Sequence, residues 1–194
     1  MKKLIIILGA LVAVILIAAA IAPKDFTIER SVVINKPRLE VYDYLKMMEN
    51  SKNWQPWSKK DPNMDEEISG IDGTTGAVQS WSGNSEVGVG QQEIIKMTKG
   101  ERIDFELRFQ KPMHMTNQAY LITDNVDDNS TRVAWGMTGR TPYLLNLVCL
   151  MMNGKIEKDF TAGLEKLKMI LESETVKGDE VKNEETANQP AVKE

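Results

Sequence analysis

One cysteine and one histidine in 194 residues remove whole classes of chemistry before any motif is considered. Cys149 alone cannot close an internal disulfide, so the fold does not depend on oxidation. Its apolar surroundings suit a buried structural thiol better than a reactive one. His114, in Lys111-Pro112-Met113-His114-Met115, has no second histidine, no cysteine and no H-E-x-x-H spacing beside it, which argues against a transition-metal site. A general base is the sharper reading of His114; a lone loop or strand-edge imidazole is the better one. Excess positive charge is missing too. The 24 Lys and Arg stand against 28 Asp and Glu, a net charge of −4, unlike the basic footprint of a nucleic-acid binder. Gly83, Gly88 and Gly90 lack both the P-loop lysine-serine pair and the G-x-G-x-x-G spacing, and read as hairpin and bulge glycines. No internal repeat is visible, and no metal or cofactor is expected.

What the chain does have stands at its start. Met1-Lys2-Lys3 is followed by an uncharged apolar run from Leu4 to Ala22. As a helix rising about 1.5 Å per residue, that run reaches roughly 28 Å, close to the hydrocarbon thickness of a bilayer. It is longer than a signal-peptide core of about 7–15 residues. Its best small-x-small site, Ala20-Ile21-Ala22, is followed by Pro23, a poor place to cut. No cysteine follows, so lipoprotein processing is excluded. A retained single-pass anchor over 1–24 is the favoured reading. Cleavage after Ala18-Ala19-Ala20, giving a secreted or periplasmic chain, is its rival. The positive-inside rule places the N-terminus in the cytoplasm and the remaining chain outside it.

The rest divides into a domain over 25–172 and a polar tail over 173–194. The middle is large enough to bury one core. The tail has no aromatic residue and almost no large apolar one, so disorder is expected there.

Within the domain, Phe26, Ile28, Val32 and Ile34 alternate as one face of a strand. Pro37 suits a first helical turn, and Val41, Leu45 and Met48 mark one side of a short helix. A turn-rich stretch holds Trp54 and Trp57. Short strands follow at 68–71, 76–81 and 87–97, separated by Asp72-Gly73 and Gly83-Asn84. In 102–109, Ile103, Phe105, Leu107 and Phe109 alternate with charged residues, giving one dry face and one wet. Strands at 115–123 and 131–138 flank Asp127-Asp128-Asn129. A closing helix lines up Ile156, Phe160, Gly163, Leu164, Leu167 and Leu171. This order predicts an α+β domain, a bent antiparallel sheet of about seven strands wrapped on a long C-terminal helix, with an apolar pocket between them.

The run Val32-Val33-Ile34-Asn35-Lys36-Pro37, the turn Trp54-Gln55-Pro56-Trp57-Ser58 and Asp61-Pro62-Asn63-Met64 occur in order. Gly76-Ala77, Trp81-Ser82-Gly83-Asn84, Val87-Gly88-Val89-Gly90, Val133-Ala134-Trp135-Gly136-Met137 and the helix from Asp159 to Lys168 follow. Together they resemble the polyketide cyclase/dehydrase-type branch of the START-like (SRPBCC) superfamily, over about 26–171. The resemblance implies the helix-grip fold shared with the birch-pollen allergen. Members of this kind are small-ligand carriers, lipid-transfer domains, cyclases or hydrolases, and co-chaperone-like modules. It assigns no catalytic residue here.

Trp54, Trp57, Trp81, Phe105, Phe109, Trp135, Met137 and Phe160 are the candidates for a ligand pocket, their indole N–H groups serving as polar handles. Each taken singly reads as ordinary core. Asp61, Asp65, Glu66 and Glu67 read as a solvated rim guarding an edge strand rather than an acid–base pair, and Asp159 as structural. The uncharged stretch 141–154 has three readings: a buried lead-in to the final helix, a mobile lid, or a surface dipping into the membrane beside the anchor. The functional expectation is a membrane-tethered, non-catalytic binder of a small lipophilic ligand, held through Leu4–Ala22. A cyclase-, hydratase- or hydrolase-type enzyme and an envelope protein-interaction module are the alternatives.

Overall fold

Alternation of apolar and polar side chains builds most of this molecule, a computed structural model that describes residues 2–187. Helix α1 (Lys2–Ile21) leads into strand β1 (Asp25–Ile34) across only three residues. Helix α2 (Arg38–Lys46) starts after Pro37, whose fixed φ suits a helix start. A 3₁₀ turn (Met48–Asn50) and two single-turn helices, α3 (Ser51–Trp54) and α4 (Trp57–Lys60), follow. Strands β2 (Asp65–Ser69), β3 (Val78–Ser82), β4 (Val89–Thr98), β5 (Arg102–Lys111), β6 (Met115–Asp127) and β7 (Ser130–Arg140) precede helix α5 (Leu145–Ala187).

The seven strands form one antiparallel sheet in the order β1-β7-β6-β5-β4-β3-β2. Register shifts at Val89/Gly90 and Ile94/Lys96 break the β4–β5 ladder, and another at Asn125/Asp127 breaks β6–β7. Such bulges bend and twist strands, which lets the sheet close around a helix. Residues 156–171 of α5 lie in that grip. Phe160, Leu164, Leu167 and Leu171 are buried against Ile28, Ile94, Ile103, Phe105, Leu121 and Val133, while α2 adds Val41 and Leu45. This is the expected α+β helix-grip architecture with an apolar helix at its N-terminal end.

One local expectation changes. The stretch holding Trp54 and Trp57 is helical rather than turn alone, because each tryptophan anchors one turn to the core. Helix α5 begins at Leu145, eleven residues before Ile156, so 145–154 forms the lead-in to the final helix. The helix is traced to Ala187, and residues 188–194 of the polar tail lie outside the described residues.

Candidate functional site on the concave face

The concave face has a filled inner half and an outer end lined by half-buried rings. In the inner half Trp135 of β7 stacks on Phe160 of α5 at 3.8 Å between ring centroids, and Trp54 meets Trp135 edge-on at 4.9 Å. All three are almost fully buried, and Phe105 and Met137 are buried beside them in the same core. Gly163 permits the close approach: a Cβ there would stand 3.0 Å from the Trp135 ring. The expected pocket between helix and sheet is therefore taken up at this level by the protein's own aromatic rings. Of the two cavities described, one of about 330 Å³ opens by Lys96, Arg102, Asp104, Gln118 and Tyr120, with the core residues Phe105 and Ala119 also lining it. The other, about 20 Å³, lies under the start of α5.

The outer end is built differently. Trp81 of β3 and Phe109 of β5 form an edge-to-face pair, 5.7 Å between centroids, and both are only half-buried. Neither belongs to the buried core or packs against it. Gly90 of β4 separates them: a Cβ there would come within 2.6 Å of the Trp81 ring, so the missing side chain lets the indole lie across the strand. Trp57 is half-buried against the core, with the Lys60 ammonium 4.6 Å from its ring centroid. Lys60 also pairs with Asp159 of α5, tying α4 to the helix. Of the eight aromatic and methionine candidates, Trp54, Phe105, Trp135, Met137 and Phe160 are thus core. Trp81 and Phe109 stand apart, and Trp57 lies between the two groups.

Sequence reasoning missed the polar groups on the same face. Ser51, Gln79 and Gln92 form a buried chain, Gln92 Nε2 donating to Gln79 Oε1 at 2.6 Å and Gln79 Nε2 to Ser51 Oγ at 3.1 Å. Asn117 of β6 is 2% exposed, and its side-chain oxygen has no hydrogen-bond partner. A buried amide oxygen left unpaired is costly, and one on a ligand-binding face is a candidate acceptor for a ligand. The signal available in the sequence was a break in alternation, a polar Asn117 where Ala119 and Leu121 set an apolar face.

The other candidates fall elsewhere. His114 is exposed in the turn between β5 and β6. Gly88, at φ +77°, takes the left-handed conformation that closes the β3–β4 hairpin through Gly83 N–H donating to its carbonyl. Asp61 spends its carboxylate on the backbone N–H groups of Asn63 and Asn84. Glu66 sits opposite Trp81 in the β2–β3 register; burial pushes its carboxyl up and Lys52 draws it back. Burial also pushes the half-buried Cys149 thiol up. Among the described residues no three His, Cys, Asp or Glu side chains gather as metal ligands would.

No protein-family model matches this chain, and no curated protein matches it. Solved structures do. A Thermobifida fusca protein determined in solution superposes with a TM-score of 0.58 at 18% identity, over 73% of this chain and 90% of that one. A norcoclaurine synthase point mutant from Thalictrum flavum, in complex with a transition-state analogue, gives 0.58 at 10% identity, over 76% of this chain and 96% of its own. Ara h 8.0201 gives 0.51 at 14%, over 74% and 97%. At such identities these likenesses carry the fold and nothing finer.

Proposed function

We propose that this chain, which has the helix-grip fold of the START-like (SRPBCC) type, is a membrane-tethered domain that binds the apolar part of a small lipid-like molecule without transforming it. One arrangement carries the reading. The outer end of the concave face presents the half-exposed Trp81–Phe109 pair, while the same face holds Asn117 with a buried acceptor oxygen lacking a partner. An apolar surface with one oriented polar group is the usual composition of a small-molecule site. Because Trp135 and Phe160 close the inner half, the ligand lies at the outer end rather than along the whole helix.

The tether is α1, twenty residues long and apolar enough to cross a bilayer, with its large side chains exposed. A signal sequence meets the same criteria. Retention places the N-terminus in the cytoplasm and the domain outside it. A site within a few residues of the bilayer would meet a lipid-partitioning ligand at raised local concentration.

An enzyme reading has one observation in its favour. Glu66, its carboxyl pushed up, stands opposite Trp81, where a general acid would face a ligand on the indole. Native mass spectrometry of the detergent-extracted full-length protein separates these readings. A co-purifying lipophilic mass that Trp81→Ala and Phe109→Ala both reduce at least tenfold is the expected result. Retention of that mass by both variants overturns the site. Conversion of the bound molecule on incubation, abolished by Glu66→Gln with binding kept, overturns the non-catalytic reading. A mature chain beginning at Ile21 overturns the tether.

A further inference from the structure

The start of α5 buries a polar side chain and exposes apolar ones. Asn146 is buried, while Leu145, Leu147, Cys149 and Asn153 are half-buried; Cys149, Leu150 and Asn153 line the 20 Å³ cavity with Pro23, Lys24 and Thr141. The exposed large side chains are apolar: Val148, Leu150 and Met152, with Tyr143 and Leu144 just before the helix, are all between 44% and 53% exposed. No charge interrupts the chain between Arg140 and Lys155. A helix face on a protein surrounded by water has the opposite polarity.

This face is fixed to α1. Asn146 Nδ2 donates to the carbonyls of Ala19 at 2.8 Å and Ala22 at 3.1 Å, and Tyr143 Oη donates to the carbonyl of Leu16 at 3.0 Å. Ala19 is thereby the buried residue of α1, while the rest of that helix stays exposed and apolar. Leu16 lies six residues before Ala22, about 9 Å along a helix axis. If α1 crosses a bilayer and leaves it near Ala22, Tyr143 is drawn several ångströms below the hydrocarbon edge. The uncharged face of α5 is then continuous with the lipid-facing surface of α1. Lys24, Arg140, Lys155 and Lys158 are exposed near it, Arg140 standing 3.8 Å from the Asp25 carboxylate and Lys155 3.2 Å from that of Glu86.

We propose that the start of α5, through Val148 and Met152 and with Leu144 just before it, is a second membrane contact. It lies in the outer part of the leaflet through which α1 leaves the bilayer, as an interfacial helix does, about 5–10 Å into the headgroup and acyl boundary. The partner is the bilayer itself. This inference rests on the reading of α1 as a retained span, and it adds an orientation: the domain lies against the bilayer by one defined face instead of swinging on a tether.

The test is spin-label depth measurement on the full-length chain in nanodiscs of phosphatidylcholine and phosphatidylglycerol. Labels are placed at Val148→Cys and Met152→Cys in a Cys149→Ser background, with Leu11→Cys as the reference within α1. Both positions are exposed, so labelling leaves the packing intact. The expected result is stronger relaxation by oxygen than by a water-soluble nickel chelate at 148 and 152, at shallower depth than at 11. Water exposure at 148 and 152 with a deep label at 11 overturns this proposal alone. Shielding from both relaxants, with dipolar broadening between copies, assigns the face to a second copy and also overturns it. A water-exposed label at 11 overturns the tether and this contact together.

Discussion

Trp135 lies flat on Phe160, with 3.8 Å between ring centroids and 9° between planes. One ring comes from the last strand and the other from the last helix, so a single contact sets how close α5 approaches the sheet. Trp54 closes the cluster from the side, at 71° to Trp135. Stacked and edge-to-face pairs of this kind contribute about 0.5–1.5 kcal/mol beyond the area they bury. They also fill the concave face at this level, which is why the proposed site is placed at the outer end, beside Trp81 and Phe109.

Phe160→Ala is expected to destabilise the domain by about 3–5 kcal/mol, since the ring is buried and its neighbours cannot collapse onto the gap. Urea denaturation of the full-length chain in detergent micelles, followed by tryptophan fluorescence, measures it. A loss below about 1 kcal/mol, the range of a well-tolerated core exchange, would show that the rings do not hold the grip together.

Gly90→Ala tests the outer end. The added Cβ meets the Trp81 ring at 2.6 Å and the Arg108 carbonyl oxygen at 2.8 Å. The indole can swing away, but the backbone of β5 cannot. The expected cost is about 1–3 kcal/mol, together with a red-shifted tryptophan emission as Trp81 moves into solvent. An unchanged emission maximum with unchanged stability would show that the indole does not lie across this strand.

The fold was legible because its strands alternate cleanly and its helix repeats at 3.6. Ile103 and Phe105 are buried as their parity demands, and Phe160, Leu164, Leu167 and Leu171 share one helix face. The site was less legible. Period alone puts Trp81, Phe109 and Trp135 on the same side of the sheet, but only the path of α5 decides which of them is covered. Asn117 could have been found from the break it makes in the alternation with Ala119 and Leu121, whereas Asn146 sits in a helix where a single polar residue carries no such signature. The stretch 141–154 stayed open among three readings because its helix buries Asn146 yet exposes Val148, Leu150 and Met152, a pattern that fits neither a core helix nor a water-facing one.

Tyr120 sets an alkaline limit. Burial comes first among the causes that push its phenol up to about 12, with the hydrogen bond to Glu29 and the charge of that carboxylate adding to it and the Arg102 guanidinium opposing them. The folded value stands above the unfolded value of about 10. Its contribution is therefore complete below about pH 10 and fades as pH rises toward about 12. Ultraviolet titration should find Tyr120 among the late-ionising tyrosines, with Tyr42 also pushed up by burial. Tyr120→Phe should remove the Tyr120 transition and flatten the loss of stability across the same interval.

Asn146 is a helix cap supplied from 124 residues away, counted from Ala22. The last carbonyls of a helix have no partner within it, and Asn146 Nδ2 serves those of Ala19 and Ala22 at the end of α1. Its own oxygen has no hydrogen-bond partner, so the donor is the working half of the amide. Leu144, two residues before it, holds φ at +72°, a left-handed conformation that costs a bulky residue about 1–2 kcal/mol. The bonds of Tyr143 and Asn146 to α1 offset that strain. Asn146→Ala should cost about 1–3 kcal/mol and raise hydrogen exchange at the amides of Ala22 and Thr141, whose bonds frame this junction. Asn146→Asp keeps the shape but aims a carboxylate at two carbonyl oxygens, so it should be worse than alanine. If aspartate proves milder than alanine, side-chain volume rather than donation holds α1 to the domain.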